Sequence, residues 1–193
     1  MPQCPRCEAL MDAVELICPQ CGHRLKEEIV YRAGYEPQEL LDLGLSPRFV
    51  TFIFLESKPK PFDYWCDSPH AGWACAIPRE VSGVYPLWCC GSDPTVLWMR
   101  RGRIEFVQLY HDDPTVRFLA RTEQGLLAHL FIRLLESADW HHPESVSRLR
   151  PMAELTGFHH FDQLCAWYQH LDERDNYSEQ FDLLMLFMDG RTN

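Results

Sequence analysis

The segment from Thr95 to Glu136 constrains this chain most, because it specifies a hairpin, a further strand and a covering helix in immediate succession. The runs Thr95-Val-Leu-Trp-Met-Arg100 and Arg103-Ile-Glu-Phe-Val-Gln-Leu109 flank Arg101-Gly102, which puts glycine where a two-residue hairpin turn needs positive φ. That turn sets the register. Met99 is predicted to face Ile104 and Leu97 to face Phe106 on a core face, while Trp98 faces Glu105 and Arg100 faces Arg103 on a mixed face. Past Asp112-Asp113-Pro114, residues 115–119 read as another short strand. Thr122 then suits the cap of a helix carrying Leu126, Leu127, Leu130, Phe131, Leu134 and Leu135 on one stripe. Such a stripe needs a sheet to lie on, so the expected class is α+β: a mainly antiparallel sheet packed by helices.

A second, independent signal lies at the start. Cys4-Pro-Arg-Cys7 and Cys18-Pro-Gln-Cys21 are two like knuckles separated by Glu8 to Ile17. Each C-x-x-C can direct two sulfurs at one ion, and two together close a tetrahedral Cys4 shell. The pattern reads as a small zinc ribbon over residues 1–26 that binds one structural Zn2+ through Cys4, Cys7, Cys18 and Cys21. Four thiolates leave no open position for a catalytic water. A redox dithiol is the alternative for one C-x-x-C, but the doubled spacing favours metal. So short a segment buries too little apolar area to fold alone, and the metal would supply the difference.

With 193 residues, 46% of them hydrophobic, the chain can bury a substantial core. No apolar run reaches the roughly 20 residues of a membrane helix and the first residues lack a signal pattern, so a cytoplasmic protein is expected. The formal charge of −10 falls entirely outside the ribbon, where Arg6, Arg24 and Lys26 balance Glu8, Asp12 and Glu15. An acidic body disfavours nucleic acid and suits a basic partner or simple solubility.

Residues 27–193 are expected to form the main domain. Glu36 to Leu43 suits a short helix ended by Gly44, and Phe49 to Leu55, rich in β-branched and aromatic residues, reads as a buried strand. Residues 57–69 hold three prolines and three aromatics and read as a packed irregular loop. Trp73 to Ile77 reads as a strand. Cys66, Cys75, Cys89, Cys90 and Cys165 show no ligand spacing and are expected as free thiols. The adjacent pairs His141-His142 and His159-His160 lack the i, i+4 spacing that places two imidazoles on one helical face. The tail, about 144–190, reads as helices over 144–155, 158–171 and 178–188. In the last, Phe181-Asp-Leu-Leu-Met-Leu-Phe-Met188 is apolar on nearly every side, either deeply packed or presented to a partner, packing being the commoner outcome.

Ile77-Pro-Arg-Glu-Val81, Tyr85-Pro-Leu-Trp88, Gly91-Ser-Asp93, the strand to Trp98, Gly102, Phe106 and the leucine-rich helix together resemble the SUKH superfamily, over roughly residues 36–137. That family contains bacterial toxin-immunity proteins and fungal regulators of cell-wall assembly. The resemblance implies an α+β domain that works by binding another protein. No phosphate-cradling glycine loop, zinc-protease helix or nucleophile elbow is present in the sequence, and no enzyme is expected. The leading expectation is an immunity protein that neutralises a basic toxin domain such as a nuclease, with Trp98, Glu105, Asp112 and Asp113 on the contacting surface. The alternative is a housekeeping regulatory module whose ribbon docks on a cellular complex.

Overall fold

The computed structural model describes residues 35–67, 83–110, 115–137, 143–169 and 177–190. The four cysteines of the expected ribbon, Trp73 to Ile77, Asp112, Asp113 and the His141-His142 pair lie outside them. The described residues form an α+β structure with one four-stranded antiparallel sheet in the order β1-β2-β3-β4. Its strands are β1 (Val84–Cys90), β2 (Asp93–Arg100), β3 (Arg103–Leu109) and β4 (Val116–Ala120). Helices α1 (Pro37–Asp42), α2 (Pro47–Ile53) and α3 (Phe62–Trp65) precede the sheet; α4 (Glu123–Ser137), α5 (Pro143–Thr156), α6 (Phe161–Gln169) and α7 (Tyr177–Met188) follow it.

The β2–β3 hairpin has the expected register, with Met99 opposite Ile104, Leu97 opposite Phe106, Trp98 opposite Glu105 and Arg100 opposite Arg103. Both turn residues have positive φ, 52° at Arg101 and 75° at Gly102, which matches the twist of the flanking strands. Arg101 therefore sits in the left-handed region at a cost of about 1 kcal/mol. Leu97 and Phe106 belong to the main core, where all six apolar residues of the α4 stripe are buried.

One expected strand is a helix. Phe49 to Leu55 lies largely in α2, for reasons present in the residues before it. Ser46 is the N-cap, its hydroxyl accepting from the Phe49 amide at 3.3 Å, and Pro47 occupies the first turn. Phe49, Val50, Phe52 and Ile53, spaced i, i+1, i+3, i+4, are all buried, as α2 packs against α1 and α5. Burial of that face outweighs the β-propensity of its residues. Lys58, 7% exposed, closes the helix by donating from Nζ to the carbonyls of Ile53 and Leu55 at 3.0 and 2.8 Å. The segment 57–67 is likewise more ordered than a loop. It contains α3, whose Phe62 is wholly buried between Phe52 and Phe131, whereas Tyr64 stays 71% exposed.

The first turn of α4 and its cap tie three distant segments to the sheet. Thr122 caps the helix through the Gly125 amide, and the Asp189 carboxylate just past α7 accepts from the Arg121 and Thr122 amides and the Thr122 hydroxyl. Glu123 accepts from the Ser46 amide at 2.7 Å, ahead of α2. Gln124 donates to the Gly157 carbonyl and accepts from the His159 amide, both at 2.9 Å, spanning the α5–α6 turn. Only glycine fits at position 125, since a Cβ there would stand 2.3 Å from an Asp189 oxygen and 2.9 Å from the Ala120 Cβ. The tail helices fall close to their expected bounds, and Phe161, Leu164 and Tyr168 of α6 are buried. Helix α7 divides its apolar surface: Leu184, Met185 and Met188 are buried, while Leu183 and Phe187 are half exposed.

Candidate functional site

The mixed face of the sheet is less open than strand alternation suggests. Val96, Val107 and Leu109 are buried on it, with Val84 and Trp98 packed beside them. What remains accessible is a strip. Arg100 lies over the Trp98 ring at 5.2 Å and 4.0 Å from the Glu105 carboxylate, so the structure joins two of the sequence-predicted contact residues through one guanidinium. This exposed pair adds little stability. On the edge strand β4 the same face carries Val116 and Phe118, opposite Leu109 and Val107, at 42% and 46% exposure. Sequence alternation marked neither as a contact residue, although apolar residues on a short edge strand are the available signal.

A more enclosed site lies on the core face, where the in-pointing residues turn polar toward one end of the strands. Thr95, Gln108 and Arg117 are paired in register across β2, β3 and β4. Facing them from α4, the residues Leu126, His129, Leu130 and Arg133 follow i, i+3, i+4, i+7 spacing and place an imidazole and a guanidinium above that row. Together with Trp65, Trp88, Cys90 and Asp93 they line a cavity of about 260 Å³. A groove of about 650 Å³ between β4, α4 and α7 shares Arg117, Leu119, His129 and Arg133 with it. The sequence reading missed this site. Its signal was present: Thr95 and Gln108 are polar at positions that the hairpin register assigns to the core face.

Burial holds the imidazole and the thiol of this site in their neutral forms. His129 is pushed down to about 4, chiefly by burial, with the charges of Arg117 and Arg133 acting the same way against its bond to the Leu119 carbonyl at 2.9 Å. The ring is thus neutral at physiological pH, donating from Nε2, with Phe181 of α7 edge-on at 5.1 Å. Cys90 lines the same cavity, but burial raises its thiol. A raised thiol beside a neutral imidazole is the reverse of a thiolate–imidazolium pair. Cys89 and Cys90 point to opposite faces of β1, opposite Pro94 and Asp93, and neither forms a disulfide, nor do Cys66 and Cys165. His159 and His160 sit in the α5–α6 turn, His160 edge-on to Phe187 at 5.5 Å. Among the described residues no group of three or more His, Cys, Asp or Glu side chains is placed to hold a metal ion, and no helix is long and apolar enough to cross a membrane.

Comparison with family models, with curated proteins and with solved structures finds no match.

Proposed function

We propose that the chain is a non-enzymatic, cytoplasmic protein-binding protein of SUKH type, an immunity protein that neutralises a basic toxin domain by direct contact. One observation carries the reading: the exposed apolar pair Val116 and Phe118 on edge strand β4 continues the face that bears Trp98, Arg100 and Glu105. An edge strand with free apolar side chains invites another chain to pack on it or extend it. Aromatic anchors set how long a complex lasts, and the formal charge of −10 would speed capture of a cationic partner. Asp112 and Asp113 follow β3 in sequence and would supply acidic contacts to a basic partner. Growth rescue tests this reading. Cells expressing a basic toxin domain that this chain captures from its own cells are expected to grow when the chain is co-expressed, and to stop growing when it carries Trp98→Ala with Phe118→Ser. Growth arrest that the wild-type chain leaves unchanged would refute it.

Residues 1–26 are proposed as a separate zinc ribbon that stabilises the chain or docks the partner, with Cys4, Cys7, Cys18 and Cys21 holding one Zn2+. Elemental analysis of protein purified without chelator should give one zinc per chain, falling to none in a Cys18→Ser, Cys21→Ser variant. A metal-free wild-type protein would remove the ribbon from the account.

A further inference from the structure

The cavity under α4 is built from groups that ordinary core packing would not leave together. Thr95, 5% exposed, and the half-buried Gln108 both bring polar side chains to the cavity from the core face of the sheet. The guanidiniums of Arg117 and Arg133 have no ion-pair partner among the described residues, in a chain with ten more acidic than basic side chains. They enter from different elements, β4 and α4, and line one cavity. Both guanidiniums are exposed, so water can reach them, and guanidiniums are the side chains best shaped to grip a planar anion with two hydrogen bonds.

We propose that this cavity is a binding site for a small organic carboxylate, whose oxygens are held between Arg117 and Arg133 with Gln108 and Thr95 as further donors. Several features select that class. Asp93 also lines the cavity, so the site carries two positive side chains against one negative, which suits a monoanion better than a phosphate dianion. The remaining wall is apolar, formed by Trp65, Trp88 and leucines of α4, which calls for a ligand with a hydrocarbon or aromatic body. The volume, about 260 Å³, falls below that of sites for drug-sized molecules. The site is distinct from the proposed toxin-binding surface, since Thr95 and Gln108 lie on the face of the sheet opposite Trp98 and Glu105.

Isothermal titration of the full-length protein with benzoate and 3-phenylpropionate tests the proposal, with benzamide as the uncharged isostere and inorganic phosphate as the alternative anion. Saturable binding of at least one carboxylate at one site per chain is expected, with benzamide silent and phosphate weaker. Arg117→Gln and Arg133→Gln are each expected to weaken it about tenfold, or 1.4 kcal/mol. Both arginines are exposed, so the variants keep the fold. Failure of both carboxylates to bind would overturn the assignment, as would equal affinity for benzamide, tighter binding of phosphate, or unchanged affinity in both arginine variants. Growth rescue by the Arg117→Gln chain should remain intact, which separates failure of this site from failure of the toxin-binding reading.

Discussion

Replacing Phe131 with alanine is expected to lower the unfolding free energy by about 3–5 kcal/mol, the usual cost of removing a large aromatic from a packed core. Phe131 is fully buried in the middle of α4 and touches three separate segments. It stacks on Phe158 at 5.0 Å and 15°, and meets Phe161 and Phe62 edge-on at 5.5 and 5.7 Å. One ring thus joins the segment before the sheet, the helix on the sheet and the tail helices. Since a domain is typically stable by only about 5–15 kcal/mol, the variant should lose a large share of its stability. Urea unfolding followed by tryptophan fluorescence and by circular dichroism measures the change. The two probes should shift together, because α2, the sheet and α4 to α7 share one apolar cluster. A tail that unfolded at lower urea in the wild-type protein would contradict that picture.

Acid should destabilise the protein between about pH 6.5 and pH 4, and His129 supplies the largest identifiable part. Its folded value lies near 4, against 6.5 for the unfolded chain. In that window the unfolded state binds more protons, so stability rises with pH. The contribution is complete above about 6.5 and is lost as pH falls toward 4. At 1.36 kcal/mol per unit, reduced because the ring is partly exposed, the loss amounts to about 2–3 kcal/mol. Burial is the main cause of the direction; Arg117 from β4 and Arg133 from α4 further oppose a charge there, and the Phe181 ring edge-on from α7 carries no opposite charge. Glu136 and Asp182 line the adjoining groove. His160 is also lowered, by burial and by His159, and acts with the same sign. Unfolding midpoints measured at pH 7 and pH 5 should differ less in His129→Gln than in the wild type; an equal difference would exclude His129 as the source.

The sheet and its covering helix were legible because their signals are local. Arg101-Gly102 sets the hairpin register within two residues, and the α4 stripe repeats at helical spacing behind a threonine cap. The misread segment, Phe49 to Leu55, was decided by its surroundings. A β-branched, aromatic run of that length fits a strand or a buried helix equally, and the Ser46-Pro47 start and the packing of α1 and α5 select the helix. The site on the core face was half legible. Thr95 and Gln108 stand at in-pointing positions of a register the sequence determines, and polar residues there are a departure that asks for a partner. Arg117 could not be placed with them, because a β-bulge in β4 shifts the pairing after Phe106 and puts Arg117 opposite Gln108. The Asp189 cap was beyond sequence reasoning altogether, since it bonds residues 67 and 68 positions away.

The reading as an immunity protein depends most on a direct complex. The decisive measurement is calorimetric titration of this chain with a catalytically inactivated form of a basic toxin domain captured by it from its own cells. A one-to-one complex is expected, whose affinity falls about tenfold or more with either Trp98→Ala or Phe118→Ser, as for anchors at the centre of an interface. No heat of binding, or a complex indifferent to both substitutions, would contradict it.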